Sequence, residues 1–522
     1  MGIPGRRAWP RKPQSLQLRV AGSSRRPPAP RLSFPGSPAA RGDTMSASRA
    51  ALWPLAYLAA ILLPLALALL AGRPGRPFAV ELSAAVGMAG FSLLLLEFVL
   101  SGRYQRISAD VGMDAVMRFH QAMAWVLLVL LLIHPYLYAL FPRPTGLVDG
   151  LPAAPPADSA VGGASGMVAW ILLAALITLS AVRDDLPVRY ETWRLSHGFG
   201  ALLVAVLAAA HTILSGHHAA APALAGFWIV ATALAALTLL RAYVLKPLLL
   251  RRRPWRIRDV RALAPGIHEL RLTPDGHAGL PYQAGQFVWL RFQDRLPGLT
   301  EHPFSLASSP AEGPELRFLI KANGDFTGGI GDLPEGRRAL VDGPYGRFGA
   351  ALEDSEASGF LLIAGGVGLA PMLGLLHTLA AAGETRPVRL VVANADAREI
   401  VLDKELQGLA ERLDLRVTRV VDDPDRPDGA LPGPVDTALL AECLTGAERA
   451  RWQAFVCAPP GMIDAVEGML EALGLPASRV HAERFRYRYG LASPSARRNL
   501  RLQAVVLALV LAAVAAFALA VG

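Results

Sequence analysis

Seven long apolar runs constrain this chain more than any other feature. They cover residues 51–71, 79–100, 116–141, 166–182, 196–215, 224–245 and 502–521. A helix needs about 20 apolar residues to cross a bilayer core, so each run is a candidate span. Together they exclude an all-soluble or disordered chain and make membrane lipid a partner. The rest reads differently. Residues 45–250 carry 21 charged side chains and residues 251–522 carry 63. The expected architecture is a membrane helical bundle over 45–250, soluble domains over 254–490, and a final helix at 500–521.

The net charge of +10 points at first to a polyanion partner. Its distribution argues otherwise. Residues 1–44 hold +8, residues 45–250 hold +3, and residues 251–522 hold −1. The basic arm, 1–44, is rich in Pro, Arg and Ser and lacks an apolar period. It is expected to be disordered, unless translation begins at Met45. No nucleic-acid partner is expected. The positive residues near the spans serve instead to orient them. Arg103 and Arg106 lie between spans two and three, Arg183, Arg189 and Arg194 between four and five, and Lys246 and Arg251 to Arg253 after six. Arg73, Arg76 and Arg143 lie on the other side. The positive-inside rule then puts the N-terminus and the soluble block in the cytoplasm of a multi-pass protein of the cell (inner) membrane.

From residue 255 the pattern changes to short alternating runs broken by Pro and Gly, such as 267–272, 287–292 and 316–320. An antiparallel β-barrel over 254–350 is expected. From residue 359 strand, glycine turn, helix and strand alternate, which predicts a parallel α/β domain over 355–490. The two cysteines, Cys443 and Cys457, are too few for a disulfide framework or a four-cysteine iron–sulfur cluster.

The spans hold a matched set of histidines. His120 and His134 lie in the third and His197 and His211 in the fifth, both pairs 14 residues apart. Fourteen residues bring a helix back to within about 40° of its starting face, about 21 Å further along the axis. Two parallel helices so built face each other with two imidazoles at each of two levels. That is the ligand set of two stacked six-coordinate haems. Four separate packing histidines would have no reason to repeat the spacing. His217 and His218 are expected in a solvated loop, and Glu97 and Arg241 at an interface or snorkelling to one.

Five further segments carry a family resemblance. Glu301-His302-Pro303-Phe304-Ser305-Leu306 resembles the flavin-contacting stretch of the ferric reductase and NADPH oxidase family, bacterial type. That family joins six membrane helices with two haems to a ferredoxin-reductase-like flavin barrel and a nicotinamide-binding domain. The resemblance implies that His302, Pro303, Phe304 and Ser305 line the isoalloxazine, and that Lys321, Gly324 and Thr327, in Lys321 to Ile330, cradle the FAD pyrophosphate. The run from Leu361 to Met372 places Gly365, Gly366 and Gly368 between a strand and a helix, with Pro371 in the first turn. This is a phosphate-binding arrangement and matches the family's variant of it. Cys457 stands where relatives have Cys-Gly-Pro beside the nicotinamide, with Ala458 in place of the glycine. Phe485, in Glu483-Arg484-Phe485, resembles the aromatic that covers the flavin. Arg398 is the candidate reader of a 2′-phosphate, which tilts the expected reductant from NADH toward NADPH.

The implied function is transfer of electrons from NAD(P)H through FAD and two haem b to an acceptor outside, a ferric chelate or oxygen. The rival is a non-catalytic haem-binding sensor or electron-transfer subunit, which the intact glycine turn and His-Pro-Phe-Ser stretch disfavour.

Overall fold

The computed structural model describes residues 43–137, 159–215, 217–292, 300–446, 448–484 and 494–522. The membrane half comprises α1 (Asp43–Leu70), α2 (Phe78–Ser101), the short α3 (Gln105–Val111), α4 (Met113–Ile133), α5 (Ser159–Ala181), α6 (Tyr190–Ser215) and α7 (Pro222–Leu240). A π-helical turn, Arg241–Leu245, carries α7 into α8 (Lys246–Leu250). Seven helices among the described residues are long and apolar enough to span a membrane.

The centre of the bundle is α2. Ala79, Ala85, Phe91, Leu94 and Phe98 are buried around it, and its small residues admit close neighbours. A side chain at Gly90 would meet Leu131, and one at Gly87 would meet the ring of His134. The apolar core joins α1 (Ile61), α2, α4 (Leu127), α5 (Leu173), α6 (Val204) and α7 (Trp228). Outward-facing residues such as Trp125, Val129, Ile171, Leu203 and Ile229 are exposed. An apolar exterior of this extent suits lipid rather than water.

The barrel contains β1 (Trp255–Ala264), β2 (Ile267–Pro274), β3 (Phe287–Arg291), β4 (His302–Ser305), β5 (Leu316–Lys321), a helical turn α9 (Asp325–Gly328) and β6 (Arg338–Tyr345). Its strands pair antiparallel in the order β4-β3-β6-β1-β2-β5. In β1, Trp255 and Ile257 point inward while Arg256 and Arg258 face solvent. In β3 all five residues are buried. Val288 and Leu290 enter the barrel core, and Phe287 and Trp289 pack with Met113 and Met117 of α4. The membrane bundle therefore sits directly on the barrel.

The last soluble domain runs β7 (Phe360–Gly365), α10 (Leu369–Ala381), β8 (Val388–Asn394), α11 (Asp403–Ala410), β9 (Leu415–Val421), β10 (Leu431–Pro432), α12 (Thr437–Cys443), β11 (Gln453–Cys457), α13 (Pro460–Ala472) and β12 (Val480–Glu483). The sheet is parallel, ordered β10-β9-β8-β7-β11-β12. Alternate residues of β7 feed two cores, Phe360 and Leu362 on one face and Leu361 and Ile363 on the other, as a sheet covered on both faces requires. The chain then returns to the bundle as α14 (Pro494–Val521), whose Val506, Val510, Val514 and Phe517 join the membrane core. Its C-terminal end meets Arg76 and Phe78 at the start of α2, the end of the bundle opposite the barrel.

Candidate electron-transfer site

The four histidines share one arrangement. On α4, His120 Nδ1 donates to Glu97 Oε2 of α2 at 2.5 Å, and Tyr57 OH donates to the other carboxyl oxygen at 3.1 Å. On α6, His197 Nδ1 lies 2.9 Å from Ser180 Oγ, whose own proton goes to the Leu176 carbonyl at 2.7 Å. His134 Nδ1 donates to the Ser83 carbonyl at 2.7 Å, and His211 Nδ1 to the Gly162 carbonyl at 2.8 Å. In every case Nδ1 carries the hydrogen and Nε2 keeps its lone pair. This is how metal-ligating imidazoles are held. The His134 and His211 ring centroids lie 6.3 Å apart with the rings at 78°. A side chain at Gly166 would strike the His211 ring, so this glycine of α5 provides the seat for it. The donor set thus fits two bis-imidazole groups.

Two sequence expectations are corrected here. Glu97 does not snorkel: it is buried beside His120, because α1 and α4 close over it. His218 is not solvated. It is 4% exposed, its Nε2 bonds Glu81 Oε2 at 2.6 Å, and Phe517 of α14 packs against its ring. Burial holds the His218 imidazole below its ordinary range, against the pull of Glu81. Arg76 completes the cluster with a 2.8 Å bond to Glu81. His217 is half-buried and reaches the Pro74 carbonyl. Arg241 lies at the barrel end, over the Tyr104 ring and bonded to the Gly102 carbonyl.

On the barrel, β4 is an edge strand, paired among the described residues to β3 alone. His302, Pro303 and Phe304 are half-buried and Ser305 is buried. The His302 ring lies 4.1 Å from that of Phe326, and burial lowers its imidazole against the pull of Glu191 and Glu301. Gly324 takes a positive φ of 92° with open space where a side chain would stand, which suits close approach of a phosphate. Thr327 is folded back on Asn323, accepting from its N–H and donating to its carbonyl. Lys321 reaches Glu399 of the neighbouring domain at 2.5 Å.

The glycine turn lies at the carboxyl ends of β7 and β11, adjacent strands at the switch point of the sheet, where open α/β sheets bind ligands. A side chain at Gly368 would stand 1.9 Å from the Cys457 carbonyl, and one at Gly365 2.8 Å from Ala458 Cβ. The two turns therefore touch, and the alanine that replaces glycine is accommodated by the missing side chain opposite. Pro371 is buried in the first turn of α10, whose Gly374 packs against the Leu306 carbonyl beyond β4. Cys457 is buried, and burial together with neighbouring Glu483 pushes its thiol far above its usual range. It packs rather than attacks. Glu483, named in the sequence only as part of a motif, pairs with Cys457 across β11 and β12, and burial pushes its carboxyl up, Asp114 of α4 adding to this. Arg398 is mostly exposed and tied to Asp396 at 2.6 Å. Phe485 lies outside the described residues.

Three family comparisons coincide with these three regions. Residues 86–208 match the ferric reductase like transmembrane component, 267–348 an FAD-binding domain, and 362–468 an oxidoreductase NAD-binding domain. Together these matches are those of the ferric reductase/NOX-like flavocytochrome family. It is an oxidoreductase with FAD- and NAD-binding domains joined to a ferric-reductase-like membrane domain. Among curated relatives, the propane 2-monooxygenase reductase component of Mycolicibacterium goodii is 30% identical over 42% of this chain and 63% of its own. The flavohemoprotein of Deinococcus radiodurans is 32% identical over 45% of this chain and 59% of its own. The chain thus spans about three-fifths of the length of these relatives. A solved Amycolatopsis cytochrome P450 reductase aligns with 45% of this chain and 69% of its own at 26% identity and a TM-score of 0.40.

Proposed function

We propose that this protein draws electrons from NAD(P)H on the cytoplasmic side of the cell membrane and delivers them across it to a ferric chelate or to oxygen. The glycine turn and Cys457 bind and orient the nicotinamide, with Arg398 favouring NADPH. The edge strand His302 to Ser305 and the segment from Lys321 to Thr327 hold FAD. His120 with His197, and His134 with His211, hold two b-type haems. When bound, FAD turns one hydride into two single electrons, and the haems carry single electrons through the bilayer.

The observation that carries this proposal is the shared state of the four intramembrane histidines: each Nδ1 is spent on an acceptor and each Nε2 is left to bind metal. The protein's own contribution is positional. Glu97, Ser180 and the Ser83 and Gly162 carbonyls fix the tautomers. Met117, three residues before His120, touches the barrel cluster, so His120 lies about 4.5 Å along the helix from the flavin domain.

The spectrum of detergent-purified protein tests the proposal. It is expected to show about two b-type haems per chain, reduced by NAD(P)H only with FAD present. His134→Ala should remove one haem and stop acceptor reduction while flavin reduction persists. Retention of both haems in His134→Ala refutes the ligand assignment. Comparing ferric-chelate reduction with superoxide formation, with and without oxygen, then identifies the acceptor.

A further inference from the structure

One carboxylate joins the membrane bundle to the flavin strand. Glu301 immediately precedes β4 and is buried. Three guanidiniums converge on it. Arg103, just beyond α2, and Arg194, in the first turns of α6, bond the same oxygen, Arg194 at 2.5 Å. Arg291 of β3 bonds the other at 3.0 Å. Burial alone would raise this carboxyl, but the three cations outweigh it and hold it well below the usual carboxylate range.

Each membrane-side arginine is itself held. Arg103 lies 3.6 Å from the centre of the Trp289 ring, in a left-handed backbone conformation with φ 50°. Arg194 lies over the Tyr243 ring, and Tyr243 OH bonds the Arg194 carbonyl at 3.0 Å. Tyr243 belongs to the π-helical turn after α7. The same helices serve the inner histidine level. Arg194 precedes His197 by three residues, about 4.5 Å along the axis. Arg103 follows the helix that carries Glu97, the partner of His120.

We propose that Glu301 is a positioning residue: its three-arginine junction sets the flavin strand against the inner histidine pair, and so governs the rate at which electrons pass from flavin into the membrane. This rests on the electron path proposed above. An exposed ion pair would contribute little, but this one is buried and three arginines share its two oxygens, so removing it frees the flavin strand to shift against the bundle. A simple packing role would not single out this step.

The test uses the full chain, purified in detergent with FAD and haem bound, in four forms: unaltered, Arg194→Gln, Glu301→Gln and both together. In Arg194→Gln, electron transfer from NAD(P)H to ferricyanide, which flavin performs without the membrane half, should stay within twofold of the unaltered protein. Haem reduction by NAD(P)H should slow at least tenfold in each single variant. The double variant should be no slower than the slower single one, since both remove one junction. Haem reduction within twofold of unaltered in both single variants overturns the proposal, as does multiplication of the two effects in the double variant.

Hydrogen exchange at Gly346, whose N–H bonds Ser108 Oγ across the same interface at 3.0 Å, supplies a readout independent of haem. It should accelerate at least tenfold in both single variants, and unchanged exchange overturns the junction's role. If the unaltered protein shows no haem reduction, the electron path fails and this exchange alone decides whether Glu301 docks the domains. Arg103→Gln replaces Arg194→Gln if the latter does not fold.

Discussion

His377 ties the nucleotide domain to the barrel, and it should make that attachment weaken as pH rises. Its ring on α10 lies between two carboxylates, with Nδ1 2.7 Å from Glu312 of the barrel and Nε2 2.7 Å from Glu405 of α11. Glu405 also takes a two-pronged contact from Arg317 of β5, at 2.5 and 2.7 Å. Burial pulls the His377 imidazole down, but the two carboxylates outweigh it and push it up to about 9, from an ordinary 6.5. Between those values the folded protein holds a proton that the unfolded chain has released. Stability is therefore fully present below about pH 6.5 and falls by about 1.4 kcal/mol per pH unit, until it is lost above about pH 9. The whole window is worth about 3 kcal/mol. Glu312, the larger of the two carboxylate contributions, is 44% exposed, so solvent screening makes about 3 kcal/mol an upper bound. The assay is thermal release of flavin fluorescence from the purified protein between pH 6 and 10. The unaltered protein should lose stability across the window, and His377→Ala should start lower and lose less. An equal pH slope in the two proteins would refute the reasoning.

Three other perturbations have defined outcomes. Gly368→Ala drives a methyl group into the Cys457 carbonyl 1.9 Å away; it should cost about 1–3 kcal/mol of stability and weaken NAD(P)H binding at least tenfold while FAD is retained, as titration of the oxidised protein with NADP+ would measure. Arg398→Ala frees Asp396 and should raise the KM for NADPH about tenfold with little change for NADH. Glu97→Gln leaves the ligand set intact but removes the anionic acceptor of His120; haem retention should fall about 10- to 100-fold at that level, and redox titration should show the lower of two midpoint potentials shifted upward.

The parts visible in the sequence are those written in local periodicity. The 14-residue spacing of the histidines survives in the fold because His197 and His211 share α6, while His120 lies on α4 and His134 at its C-terminal cap. At Pro135 α4 gives way to a 3₁₀ turn, His134–Tyr136, and the candidate span among the described residues is Met113–Tyr136. Strand–turn–helix order marked the nucleotide turn for the same reason. What stayed hidden depends on contacts between distant segments. Glu97 resembles any charge near a span end until α4 brings His120 to it, 23 residues away. The acceptors for His134 and His211 are backbone carbonyls, which have no sequence signature. His218 is buried by Phe517, from a helix that follows the entire soluble half. Glu301 was visible in its motif, but the three arginines come from α6, β3 and the segment after α2.

The partners of the histidines also suggest why electrons should run outward. At the level nearer the barrel, His120 shares a hydrogen bond with the Glu97 carboxyl, whose other oxygen accepts from Tyr57 OH. At the far level, His134 and His211 donate to neutral backbone carbonyls. A carboxylate on the second nitrogen of an imidazole makes the ligand more basic and favours the more highly charged state of a bound metal. It therefore lowers the reduction potential at that level relative to one served by carbonyls alone. In the proposed electron path, transfer from the inner level to the outer is then downhill before any membrane potential is added. An inside-negative potential of ~100 mV contributes a further ~2.3 kcal/mol for one electron crossing the whole membrane. In the proposed path Glu97 then serves both ends of one element: it lies on the helix whose barrel-side end leads to Arg103 and Glu301, which meet the flavin strand.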